Sequence, residues 1–268
     1  MRLLQSVKLA YNEPRFCFAL ELILSNDMVQ KWIAQLSVSF LLLTESAFAR
    51  DNFSCHPPVN PHCQQYIIAY GSLMETASKN STDPHSGENK PIWIDHYQRG
   101  WFSKGLADGF SSTYLGVIKS KHARFNGSIF TLPHANSFKN YDAREKYYCR
   151  VLVAPENIHL LNGEKLPEGQ FWIYELKPEF LAPPSNDYPI VESYVDIFLT
   201  GCLEIEEKYH LKNFASACVN TTSDWSVNWV NDRIYPRRPY GHQPRASAID
   251  KLLKEHVPQF FQQIKLDS

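Results

Sequence analysis

Two short stretches carry groups suited to chemistry. In "QYIIAYGSLMET" (residues 65–76) an apolar run ends on Tyr70, Gly71, Ser72 and Leu73, with no charge until Glu75. Glycine lets a backbone approach a ligand closely, and successive amide N–H groups in a tight turn after a strand form an anion-binding concavity. Ser72 does not read as a hydrolase nucleophile, because Tyr70 stands where G-x-S-x-G requires glycine. An ordinary structural turn also accounts for a Gly-Ser pair. In "YDAREKYYCRVLV" (residues 141–153) Asp142 and Glu145 are three apart, which places them on one face of a helix. A carboxylate held against the apolar strand that follows loses solvation and rises from its reference of about 4.3, as a general base near neutrality requires. The alternative is a solvated, charged helix surface.

The elements that must position these groups read as follows. Strands are expected at 65–70, 93–102, 113–119, 127–132, 148–153 and 171–176, each short, rich in β-branched or aromatic residues and bounded by turn formers. A helix is expected within 133–148, where Asn136 can cap and Phe138, Tyr141 and Tyr148 recur along one side. Residues 78–91 read as a surface loop. After the proline-rich stretch 177–189 the pattern turns helical, so the layout is α+β with a helical C-terminal third.

Composition narrows the function classes. The chain has 268 residues, net charge −1 and no long basic run, which argues against an electrostatic nucleic-acid footprint. From Met28, a short segment with Lys31, an apolar stretch over 32–43 and Ala47-Phe48-Ala49 read as a secretory signal, so residues 1–49 are taken as a targeting segment with Met28 as the true start. The apolar stretch is too short and interrupted for a membrane span, and the mature chain is expected to have none. A secreted or periplasmic location follows. The mature chain then carries Cys55, Cys63, Cys149, Cys202 and Cys218. The expected bridges are Cys55 with Cys63 and Cys202 with Cys218, leaving Cys149 reduced. Zinc on Cys55, His56, His62 and Cys63 is the less favoured alternative, and a zinc hydrolase using His56, His62, His85 and His96 lacks any H-E-x-x-H spacing.

Taken in order, "AYGSLM" (69–74), "HYQRGW" (96–101), "STYLGV" (112–117), "NGSIFTLP" (126–133) and "YDAREKYYCRVLV" resemble the γ-glutamylcyclotransferase superfamily, which includes the AIG2-like proteins. The resemblance covers about two-fifths of the chain, residues 65–176. It implies a small mixed β-barrel of about six strands with flanking helices, no cofactor, and a small-molecule γ-glutamyl substrate. It also implies that Tyr70, Gly71, Ser72 and Leu73 line the substrate cavity and that Glu145 is the acid/base. Domain boundaries follow: a leader at 50–64, the cyclotransferase-like domain at 65–185, and a helical C-terminal extension at 186–268 packed on it.

Two function classes stand side by side. The first is an enzyme that cyclises a γ-glutamyl group to 5-oxoproline and frees an amine. The second is a non-catalytic binding or envelope interaction module that keeps the pocket. The glutamate at 145 favours the enzyme. The segment "NDRIYPRRPYGHQPRAS" (231–247) holds Arg233, Arg237, Arg238 and Arg245, which form either a rigid solvated loop or a carboxylate clamp over the pocket mouth.

Overall fold

The computed structural model describes residues 54–105 and 111–267. The expected targeting segment, with its signal at 28–49, lies outside the described residues. The expected α+β class holds: strands and helices build one mixed sheet with helices packed against it. Strand β1 (Gln65–Ala69) is buried along its whole length. Its apolar run Tyr66–Ala69 suits a central strand covered on both faces. It lies between β3 (Ser112–Thr131), antiparallel, and β6 (Gln170–Leu176), parallel.

The expected third and fourth strands are one. Strand β3 runs through the polar segment 119–124 and pairs along its length with β2 (Lys90–Gly105). The register slips there, with residues 120–123 set against His96 alone. His96 adopts a left-handed backbone (φ 67°), and its Nδ1 lies 2.8 Å from the Lys121 carbonyl oxygen. The polar residues between the two expected strands are therefore an exposed bulge in a continuous hairpin, a common device for bending a strand. On the other side of the sheet β4 (Tyr148–Val153) pairs with β6, and β5 (Ile158–Leu160) pairs with β2.

The C-terminal third is helical, with α3 (Glu192–Tyr209), α4 (Phe214–Asn220), α5 (Ala246–His256) and α6 (Pro258–Phe261). It also supplies four short strands to the same sheet. These are β7 (Ile190–Val191), β8 (Thr222–Ser223), β9 (Trp229–Asn231) and β10 (Lys265–Leu266). The resulting path is β10-β9-β7-β3-β1-β6-β4, with β2 pairing β3, β5 and β8. Among the described residues the sheet has ten strands and does not close, so the expected six-strand barrel is corrected to an open mixed sheet. Closure needs pairing between the two end strands, and here β4 and β10 are the ends.

The disulfides differ from expectation in one pair. Cys202 and Cys218 bridge α3 to α4 as expected, with Cα atoms 6.6 Å apart. Cys55 bonds Cys149 instead of Cys63, across a separation of 94 residues and a Cα distance of 4.5 Å, so Cys149 is not a free thiol. The reason is local pairing: the Cys55 carbonyl accepts the Arg150 N–H at 2.9 Å, laying the leader alongside β4. Among the described residues, no helix is long and apolar enough to cross a membrane.

Candidate active site

Strand β1 delivers the chain into a single 3-10 turn (Ser72–Met74), closed by the Met74 N–H on the Gly71 carbonyl at 2.9 Å. Glu75 then caps α1 (Thr76–Asn80), its carboxylate accepting the Ala77 and Ser78 N–H groups. This capping satisfies donors that a helix start leaves unpaired. Helix α3 presses directly on the turn. A β-carbon on Gly201 would lie 2.5 Å from backbone atoms of Met74 and Glu75, so the contact requires glycine.

Tyr70 is held from two sides. Its hydroxyl donates to the Tyr174 carbonyl at 2.7 Å, and its carbonyl accepts from Arg99 at 3.4 Å. Arg99 is fully buried between the rings of Phe125 and Phe198. It also donates to the Asn126 and Cys218 carbonyls and to the Thr221 and Thr222 hydroxyls. Burial pushes its pKa down to about 9. One guanidinium thereby ties the loop residue Tyr70 to β3 and to the end of α4.

The expected helix within 133–148 is shorter, α2 (Phe138–Arg144), preceded by a 3-10 turn (Ala135–Ser137). Glu145 is its C-cap residue. Asp142 and Glu145 consequently have different surroundings. Asp142 accepts the Tyr174 hydroxyl at 2.6 Å and pairs with Arg150 at 3.2 Å. Glu145 lines a cavity instead, with its side chain 15% exposed. Burial raises its pKa above the ordinary carboxyl value, while Arg144, 3.5 Å away, pulls it back. Arg144 itself reaches across to the first loop. It donates to the Ser72 hydroxyl at 2.9 Å, the Ser78 carbonyl at 2.6 Å and the Thr82 hydroxyl at 2.6 Å. The two sequence motifs are therefore joined by a side chain adjacent to the candidate base.

The cavity has a volume of about 300 Å³ and is lined by Ser72, Tyr114, Arg144, Glu145, Tyr194 and Arg238, among others. A smaller recess of about 30 Å³ adjoins it, lined by Tyr70, Gly71, Leu73 and Tyr174, and sharing Ser72, Glu145, Tyr148 and Tyr194 with the larger space. Tyr148 donates to the Leu115 carbonyl at 2.9 Å and accepts from the Ser103 hydroxyl at 2.8 Å, which fixes its ring in the floor. Tyr194 is bonded to Ser72 through both side chain and backbone, and burial raises its pKa to about 12. It stays a neutral phenol near pH 7. The arrangement offers hydrogen-bond donors, one desolvated carboxyl group and aromatic walls.

All five residues expected at the site, Tyr70, Gly71, Ser72, Leu73 and Glu145, border this linked pair of spaces. Sequence reasoning missed Tyr194, Arg144 and Tyr114. Nothing in "IVESYVD" marks Tyr194, which comes from a helix 122 positions beyond Ser72 and reaches the site only because α3 packs on the turn. The arginine-rich segment is split in the structure. Arg233 pairs with Glu192, Asp196 and Asp250, Arg237 with Asp267, and Arg245 with Glu207, while Arg238 alone borders the cavity. The histidines of the zinc reading do not assemble: among the described residues, no group of three or more His, Cys, Asp or Glu could hold a metal ion.

No protein-family model and no curated protein matches the chain. Solved structures do. The chain is similar to one described as a γ-glutamyl cyclotransferase, at 12% identity and TM-score 0.45, covering 72% of this chain and 99% of that one. It is similar to an uncharacterized protein from Homo sapiens at 12% identity and TM-score 0.45, covering 71% and 98%. It is also similar to a yeast γ-glutamyl cyclotransferase described as specific to glutathione, at 9% identity and TM-score 0.39, covering 72% and 97%. Two of these structures carry in their own descriptions the name of the family that the sequence motifs resemble.

Proposed function

We propose that the protein cyclises γ-glutamyl groups, releasing 5-oxoproline and a free amine or amino acid, with Glu145 as the only acid/base. The observation that carries this reading is that Glu145, a desolvated carboxyl group, and the Ser72 turn border one cavity although 73 positions separate them. A γ-glutamyl group carries its own nucleophile. Its α-amine can fold back on the γ-carbonyl carbon to close a five-membered ring, and intramolecular attack of this kind has a high effective molarity. The protein then has to hold the folded-back conformer and move protons.

The proton balance suits a single carboxyl group. The attacking nitrogen starts as an ammonium and ends as a lactam N–H, while the leaving nitrogen starts as an amide and ends as an ammonium. Two protons therefore cross from one nitrogen to the other as the new C–N bond forms and the old one breaks. Glu145 takes each from the attacking amine and returns it to the leaving amine. A pKa raised by burial brings it closer to the amine it must deprotonate. The Ser72 turn and the Tyr194 hydroxyl are the donors on which we place the substrate's α-carboxylate.

The two disulfides between described residues support an oxidising compartment, and with it the exported protein read from residues 28–49. The test is direct. Purified protein incubated with γ-glutamyl dipeptides should release 5-oxoproline, detected by mass spectrometry, and Glu145→Gln should not. Undiminished turnover in that variant removes Glu145 from the mechanism, and no turnover by the wild-type protein leaves the binding-module reading.

A further inference from the structure

Arg238 is the one member of the arginine-rich segment that faces the candidate site, and its surroundings differ from those of its neighbours. Arg233, Arg237 and Arg245 are each paired with carboxylates. Arg238 has no ion pair with a carboxylate among the described residues. Its guanidinium lies over the Tyr114 ring, 4.4 Å from the centroid, and donates to the Tyr114 hydroxyl. Its backbone N–H donates to the Ser193 hydroxyl at 3.1 Å, which anchors this point of the segment to the first turn of α3.

The cavity's other arginine, Arg144, is already committed to Ser72, Ser78 and Thr82. Arg238 is thus the cation with donors to spare in a cavity whose bordering carboxylate is Glu145. Partial burial lowers its pKa and among the described residues no acidic neighbour opposes the shift, so an arriving carboxylate would relieve a desolvated charge. Position matters as well. Tyr114 packs against Tyr194 with ring centroids 5.0 Å apart, and Tyr194 is bonded to Ser72. Arg238 therefore stands two aromatic layers from the turn assigned to the glutamyl end, so a ligand anchored on that turn must extend along the cavity to reach it.

We propose that Arg238 binds the carboxylate of the leaving half of the substrate, which makes the substrate class γ-glutamyl amino acids and peptides ending in a free carboxylate, rather than γ-glutamylamines. This rests on the cyclotransferase reading above. Guanidinium is suited to the task because its planar donors match a carboxylate in bidentate geometry, which lysine cannot reproduce.

The test compares a γ-glutamyl dipeptide with its C-terminal amide, using wild-type protein and Arg238→Gln, and reads both 5-oxoproline formation and calorimetric binding. The wild-type protein should prefer the acid over the amide by about 10- to 100-fold in kcat/KM, mostly through KM, as expected for one charge-assisted contact. Arg238→Gln should abolish that preference by slowing the acid far more than the amide, while Arg238→Lys recovers only part of it. The preference is a ratio within one protein, so a general loss of folding does not mimic its disappearance. Equal turnover of acid and amide by the wild-type protein overturns the Arg238 assignment and leaves the cyclotransferase reading standing. Selective binding of the acid without turnover does the reverse. Binding of neither compound overturns both.

Discussion

The Tyr194 hydroxyl lies 2.8 Å from the place that a β-carbon on Gly71 would occupy. Residue 71 is thus kept small by a side chain from α3, and the loop's shape depends on a helix far along the chain. Gly71→Ala should displace the Tyr194 ring, disturb its bonds to Ser72 and lower kcat/KM for γ-glutamyl substrates. Removing the obstructing atom should relieve the clash, so Gly71→Ala combined with Tyr194→Phe should melt closer to Tyr194→Phe alone than Gly71→Ala melts to wild type. A double-mutant cycle on melting temperature measures the coupling; strictly additive effects would refute it.

Glu145 should show its burial in two ways. The acidic limb of the kcat/KM profile should lie above the ordinary carboxylate range, because protonation removes the base and burial favours the protonated form. The sign for stability follows from the same shift. A carboxyl group whose folded pKa is raised binds more protons in the folded state, so stability falls as pH rises from the unfolded pKa through the folded one. Glu145→Gln should therefore melt like wild type in acid and above it at neutral pH. Equal melting temperatures across the range would contradict the raised pKa.

Glu192 offers a second, separable pH effect. It is buried beside Asp196, with Arg233 opposing, and burial together with the Asp196 charge pushes its pKa up to about 8. Its contribution to stability is present below an ordinary carboxyl pKa and is lost as pH rises through about 8. Glu192→Gln should flatten that decline while leaving Arg233 paired to Asp196 and Asp250. An unchanged slope between pH 5 and 9 in thermal melts would exclude Glu192 as its source.

The disulfide across 94 residues should be found by peptide mapping without reduction, as a linked pair containing Cys55 and Cys149. Replacing both by serine should cost about 2–5 kcal/mol, in keeping with the loss of a native cross-link closing a long loop. Since Cys149 is the second residue of β4, just beyond Glu145, this variant should also lower turnover. Alkylation of Cys149 in the folded, unreduced protein would show that the bridge is absent.

What the sequence determined on its own is local. A short run as apolar as Tyr66–Ala69 predicts a buried strand wherever it ends up, and β1 is one. A Gly-Ser pair after such a strand predicts a turn, and the family resemblance of the ordered motifs is what proposes Glu145 as its partner. Cys202 and Cys218 lie 16 positions apart on segments that both read as helical, so their pairing was within reach of local reasoning. The tertiary structure decided everything that depends on register and close approach. Whether residues 119–124 turn or bulge is set by the pairing of β2 with β3, whether the sheet closes by its two end strands, and which cysteine meets Cys55 by the leader lying against β4. Tyr194 carries no local signature, and the arginine-rich segment does not say which of its arginines meets the cavity. Tyr194 and Arg238 become cavity residues only because Gly201 lets α3 settle onto the turn and Ser193 holds the Arg238 backbone against that helix. Contacts across such separations follow from which buried faces can pack together, and short-range patterns do not encode that.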